Sequence, residues 1–283
     1  MPGRNRPPVG VTGRPRAPGV VAAFGLFSVI PMPALPNVDR QVTARAIRAF
    51  GWMGLLLGMV AGLIVAGVLA AGAGPWLAAI LALAWLTAAT GGFHLDGVAD
   101  TADGLASRKP TDEALAIMKR SDIGPMGVIS LVLVLLVDLG SLSSLATTLA
   151  GQPGAWWRLG LVMLLGPSIG RAAILLATHP SLPCARPGGF GSLVAGVTPT
   201  RTAVVQLAGL GLVWATVGWA VAGPVGTATT VGAGAVALGW SAAWARHLVR
   251  RLGGLTGDCF GSLIETTQVV AWLLLALAVP RLW

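Results

Sequence analysis

The sequence predicts an all-α fold, a polytopic integral membrane bundle of about six to seven transmembrane helices. Three observations carry this. Charged residues make up only 10% of the 283, against about 25% in an ordinary soluble domain. Mean hydropathy is +0.79. Several Leu/Val/Ala/Gly runs continue for about 20 residues without a charge, the length a helix needs to cross a hydrocarbon core. Together these exclude a disordered chain and argue against a soluble globule.

Residues 1–20 hold four arginines, five prolines and no acidic residue, which describes a disordered basic tail. Residues 21–283 read as a single membrane-embedded domain. A secretory signal needs an unbroken apolar stretch behind the arginines, and Phe24 to Pro36 is too proline-rich to provide one. It reads instead as an interfacial or re-entrant entry. Apolar segments follow at about 51–72, 75–92, 128–150, 159–178, 203–222, 225–245 and 268–283. The 40 glycines are scattered through these segments, where small residues let helices approach closely. Such packing serves within a chain or between chains, so a homo-oligomer stays open.

Net charge is +9, and only Lys109 and Lys119 of the 19 basic residues are lysines. In a membrane protein such a balance reports topology rather than nucleic-acid binding. With a cytoplasmic N-terminus, the connections 93–127, 179–202 and 246–267 face inward. All the basic residues then fall before the first span or in and beside those connections, except Arg158, Arg171 and Arg281. Asp96, Asp100, Asp103, Asp112, Glu113 and Asp122 occupy the first inner connection, and Asp258 and Glu265 the third. No outer loop carries a carboxylate, so the polar chemistry is expected at the cytoplasmic face of the cell membrane. Trp52, Trp76, Trp156, Trp157 and Trp283 lie near span ends, as an aromatic belt requires. Cys184 and Cys259, on the reducing side, are expected to stay free thiols.

The segment Gly91–Leu105 is the richest in chemistry. Asp96, Asp100 and Asp103 are spaced i, i+4, i+7 and share one helix face. Stacked like charges repel unless a cation neutralises them, and a hard ion such as Mg²⁺ takes oxygen ligands of this kind. A solvated acidic face would interleave lysines, whereas the intervening residues are Gly, Val, Ala and Thr. Asp258 and Glu265 repeat the device at i, i+7; an N-cap accounts for Asp258 alone, but not for Glu265. Among the cations, Lys119, Arg171 and Arg186 are phosphate-binding candidates. Arg171 lies about a dozen residues into an apolar run, where it demands a partner, a polar cavity or a snorkelling route. His94 precedes the acidic cluster as a substrate-binding or acid–base candidate, with a packed interfacial histidine as the alternative. Asp138, deep in the third span, is expected to be hydrogen-bonded inside the bundle. These residues point to metal-assisted phosphoryl transfer.

Four segments, FHLDGVADTADGL, MKRSDIGPMG, CARPGGFGSLVAG and RLGGLTGDCFGSLIETTQ, resemble in order the signatures of the cobalamin-5′-phosphate synthase family, also called adenosylcobinamide-GDP ribazoletransferase. The likeness runs from about residue 22 to the C-terminus. It implies an integral membrane, Mg²⁺-dependent transferase joining adenosylcobinamide-GDP to α-ribazole, or its 5′-phosphate, with release of GMP. It implies catalytic roles for Asp96, Asp100 and Asp103 and metal binding by these and Asp258. His94, Lys119, Arg171, Arg186, Asp258 and Glu265 would bind substrate. The chain departs from the family pattern at Phe27–Pro33, which lacks a Thr-Arg pair, and at Arg120, where the family commonly has Asp; here an aspartate stands at Asp122. CDP-alcohol phosphotransferases are the rival reading, but their pattern carries an arginine soon after the first Asp-Gly, and here Gly97 is followed by Val-Ala-Asp. A transporter would place more ionisable residues at the midplane than Asp138.

Overall fold

The computed structural model describes residues 18–35, 37–150 and 154–278. Most of the basic tail, together with Arg281 and Trp283, lies outside the described residues. The helices run, in chain order, α1 (Gly19–Phe27), α2 (Arg40–Ala70), α3 (Pro75–Ala89), α4 (Phe93–Ala106), α5 (Thr111–Ile117), α6 (Pro125–Ala150), α7 (Ala155–Met163), α8 (Leu165–Ala177), α9 (Phe190–Val194), α10 (Thr200–Leu252) and α11 (Gly257–Ala278). No strand forms among the described residues.

Among the described residues, each apolar segment of the sequence falls mainly on helix. Five helices, counting α7–α8 as one, are long and apolar enough to cross a membrane; α3 and α4 add a sixth as a pair bent by 87°. α10 is one of the five, yet 53 residues at 1.5 Å each would reach about 80 Å, far beyond one bilayer. It breaks at Ala222 and Gly223, whose dihedrals are non-helical, immediately before Pro224. Gly223, at φ 58°, takes a left-handed turn that a side chain would oppose. The two arms then run antiparallel: the Thr230 hydroxyl donates to the Trp214 carbonyl at 2.8 Å and that of Thr227 to the Ala215 carbonyl at 3.1 Å. This hairpin matches the two separate spans expected at 203–222 and 225–245.

Two boundaries differ from the expectation. α2 starts at Arg40 rather than 51, because Asp39 caps it by accepting from the Gln41 and Val42 amides, and the arginine-bearing first turns continue the helix beyond the apolar run. α11 starts at Gly257 rather than 268: Asp258, Glu265 and Gln268 interrupt its apolar run, but Thr256 accepts from the Cys259 amide at 3.3 Å and serves as the cap. The N-cap role considered for Asp258 therefore belongs to Thr256. The entry segment forms the short α1 followed by extended chain from Ser28.

α8 is the central post of the bundle, with Leu165–Leu175 buried throughout and α2, α10 and α11 packed around it. Gly54, Gly58 and Gly62 give α2 a stripe of small residues against the backbone of residues 160–168, the close approach that small-xxx-small spacing permits. Large apolar side chains such as Leu63, Leu133, Leu212 and Trp219 point outward, as lipid-facing spans require. The thiols of Cys184 and Cys259 are free.

The connections expected on the inner face meet one another at one end of the bundle. Cys184 and Leu255 form a parallel bridge, Arg251 donates to the Lys109 carbonyl at 2.7 Å, and Arg40 donates to the carbonyls of Ser192 and Ala195.

Candidate active site

α4 carries the aspartate face. Gly91 and Gly92, both at positive φ, turn the chain through the 87° bend after α3. With three aspartates in 14 residues, α4 alone is no membrane span, and it lies at the end of the bundle where the connections 93–127, 179–202 and 246–267 gather. It crosses α11 where Gly97 meets Gly261: a Cβ on Gly97 would come within 2.6 Å of the Asp258 carbonyl oxygen and 3.1 Å of the Gly261 Cα. The two glycines bring the Asp96–Asp100 face beside Asp258 at the start of α11.

The acidic groups are close enough to govern one another. Burial, then the charges of Asp96, Asp258 and Asp103, push Asp100 up to about 7 from the usual carboxylate range; Arg186 opposes the shift. Arg186 reaches this cluster because the Pro183–Ala185 segment pairs with Leu255, through Leu255 N–H to the Pro183 carbonyl and Ala185 N–H to the Leu255 carbonyl. Its guanidinium also donates to the Leu115 carbonyl on α5. Asp96, Asp100, Asp103, Asp258 and Arg186, all singled out from sequence, are thus brought together.

Asp103 differs from its neighbours. Its carboxylate accepts from the Gly124 amide at 2.6 Å and the Gly127 amide at 2.8 Å, holding the N-terminus of α6, where a negative charge is favourable. The departure at Arg120 resolves locally: Arg120 pairs with Asp122 through two bonds of 2.9 and 2.6 Å, and this holds the Asp122 carboxyl below its usual range. Lys119 lies exposed at the end of α5.

Arg171 and Glu265 sit elsewhere. Arg171 is 1% exposed and donates to the Gln268 side chain at 2.9 Å. Glu265 stands 3.5 Å from His94 Nδ1, and Asp138, Arg171, Glu265 and Gln268 surround one small internal space. These residues form a polar network inside the bundle rather than part of the open acidic cluster. Gln268 as the partner of Arg171 was not read from the sequence; it stands three residues after Glu265 on α11, and nothing local marks it.

His94 links the two groups, since with Asp96 and Asp258 it also lines a cavity of about 280 Å³. The remaining wall is aliphatic and aromatic, including Phe27, Phe50 and Phe190. Phe27 packs against Phe50 at 4.5 Å and edge-on to Phe190 at 5.7 Å, and Phe50 meets His94 edge-on at 6.0 Å. None of these phenylalanines was a sequence candidate.

The donor set suits a hard cation: every carboxylate near Asp100 offers oxygen, and the cluster is short of positive charge. Among the described residues, no group of three or more His, Cys, Asp or Glu is already gathered as a metal cage. An open set of this sort fits Mg²⁺, which keeps several waters and shares its ligands with substrate phosphates.

The comparisons with known proteins follow the same line. No solved structure matches the chain. An adenosylcobinamide-GDP ribazoletransferase from Frankia casuarinae is 36% identical over 269 residues, covering 91% of this chain and 94% of the relative. Enzymes of the same name from Brevibacillus brevis (32% identity, 89% of this chain, 95% of the relative) and Escherichia coli (36%, 90% and 97%) are similar over nearly their whole lengths. The family model for cobalamin-5-phosphate synthase matches residues 19–276, and the chain belongs to that family.

Proposed function

We propose that this protein is an adenosylcobinamide-GDP ribazoletransferase, joining adenosylcobinamide-GDP to α-ribazole or its 5′-phosphate and releasing GMP late in cobalamin biosynthesis. The observation that supports it best is the meeting of Asp96, Asp100 and Asp258 with Arg186 at the α4–α11 crossing. A diphosphate needs cationic neutralisation and an activated hydroxyl, and this cluster offers a place for both.

In this reading Asp96, Asp100 and Asp258 hold Mg²⁺, with Asp103 fixing the α6 N-terminus beside them and lending charge. Mg²⁺ supplies charge neutralisation on the diphosphate and on the leaving GMP. Arg186 holds phosphate oxygens with its planar fork. Lys119, exposed near the same face, contributes a mobile positive charge to substrate capture. The ribose 3′-hydroxyl of α-ribazole attacks the phosphorus on the cobinamide side; a new P–O bond forms there as the bond to the bridging oxygen of GMP breaks. A carboxylate of the cluster takes the hydroxyl proton. His94, held by Glu265, bounds the acceptor side, and Arg171 acts on substrate only through this buried network.

The site faces the cytoplasm of the cell membrane in this proposal, because the positive connections lie on its side. The test is direct: purified protein in liposomes with adenosylcobinamide-GDP, α-ribazole and Mg²⁺, with GMP and cobalamin followed by chromatography. Product that disappears with EDTA supports the reaction and the metal together. Folded protein that forms no product with either form of α-ribazole refutes the assignment.

A further inference from the structure

The 283 residues include six phenylalanines, and five of them, Phe27, Phe50, Phe93, Phe190 and Phe260, line a cavity that adjoins Asp96 and Asp258. They come from α1, α2, α4, α9 and α11, so no single helix face gathers them. Protein interiors close-pack and leave few voids larger than a water. Here about 280 Å³ stays open between the rings, nine or so times the ~30 Å³ share of a water.

We propose that this cavity receives the flat aromatic base of the acceptor nucleoside, 5,6-dimethylbenzimidazole in α-ribazole, and leaves the ribose at the mouth beside Asp96 and Asp258. The assignment rests on the transferase reading. Its physical argument is size and polarity. A bicyclic base of about eleven heavy atoms fits a hollow of this volume, whereas a corrin macrocycle does not. Guanine matches the base in size, but its carbonyl and ring-nitrogen acceptors would face carbon, since His94, Asp96 and Asp258 are the only polar side chains on the lining. Edge and face contacts from Phe27, Phe50 and Phe190 suit a planar ring. His94, with Glu265 at its Nδ1, is placed to meet the single free ring nitrogen of a benzimidazole.

Two variants and one probe test this. Phe190 is 40% exposed, so Phe190→Ala removes little buried packing; Val194→Phe, on the same short helix, fills the space. Thermal unfolding and size-exclusion profiles check that both remain folded. GMP release is measured with each substrate varied in turn. Phe190→Ala is expected to raise KM for α-ribazole about tenfold and to leave KM for adenosylcobinamide-GDP within about twofold. Val194→Phe is expected to lose α-ribazole yet to accept a riboside of imidazole, a smaller ring. Free 5,6-dimethylbenzimidazole, observed by saturation-transfer NMR, should bind the wild type and not Val194→Phe, without displacement by guanosine or decanoate. Displacement by either overturns the proposal, as do KM changes shared by both substrates or by neither. Binding of the base without GMP release would refute the transferase reading alone; normal GMP release without base binding would refute the cavity assignment alone.

Discussion

Asp100→Asn should make the protein more stable and inactive at once. Burial and three neighbouring carboxylates raise Asp100 from 3.8 to about 7, so its charged form is disfavoured by folding. The penalty is absent below about pH 4, where the group is protonated folded or unfolded; it grows between 4 and 7 and is complete above 7. Three units at about 1.4 kcal/mol each set a ceiling near 4 kcal/mol. Asp100 is partly exposed and solvent screens it, which reduces the figure to about 1 kcal/mol. At pH 8 in EDTA the variant should melt about 2–4 °C above the wild type, and at pH 4 the two should coincide. Mg²⁺ at ten times its Kd should stabilise the wild type by about 1.4 kcal/mol and leave the variant unmoved. GMP release by the variant should fall at least about 100-fold. Tryptophan fluorescence melts and the chromatographic assay measure all of this. An Asn variant that melts below the wild type in EDTA, or releases GMP within tenfold of it, refutes the reasoning.

Because a proton on Asp100 competes with the cation, Mg²⁺ affinity should weaken about tenfold from pH 8 to pH 6; calorimetric titrations giving a flat profile would argue that Asp100 is not a ligand. Arg186→Ala should raise KM for adenosylcobinamide-GDP about 10- to 100-fold while α-ribazole KM moves little, read from the same two-substrate kinetics. Gly97→Val should cost about 2 kcal/mol and abolish transfer, because its side chain meets the Asp258 backbone; Gly239→Ala, with open space around it, is the control that should lose neither. Lys109→Cys should react with an impermeant maleimide only from the cytoplasmic side of oriented vesicles, and Trp76→Cys only from the other.

Span positions were legible because the bilayer imposes one rule on all of them, a predominantly apolar run with few charges, and α2, α3, α6, α7–α8, both arms of α10 and α11 follow it, with Asp138 and Arg171 as exceptions inside spans. The polar ends of α2 and α11 escaped that rule, since helix continues past the apolar boundary wherever Asp39 or Thr256 caps it. The aspartate face of α4 was legible from spacing, and the approach of Asp258 followed from glycines at 97 and 261 whose partnership is long-range and invisible locally. The same holds for Asp103, whose bonds to the Gly124 and Gly127 amides cross some twenty residues. The phenylalanine cavity had one faint signal: a residue type this scarce recurs in the entry segment, in two signature segments and beside the glycines of a third.

Depth explains why Asp258 and Glu265, equivalent by spacing, divide into different environments. Seven residues along α11 are about 10 Å, enough to carry Glu265 from the interface into the bundle. A charge there requires partners, and Arg171, His94, Gln268 and Asp138 surround it; with α4, α6, α8 and α11 each contributing, the network fixes the register of the four helices on which the site is built. At the interface the balance is reversed. Asp96, Asp100, Asp103 and Asp258 crowd together, and Arg186 is the cation whose charge acts on both Asp100 and Asp258. Had stability alone shaped this end of the bundle, a second arginine or an apolar residue at position 100 would relieve the repulsion. The inner cluster neutralises its charges within the protein, while the outer one leaves them for a cation and a phosphate to neutralise.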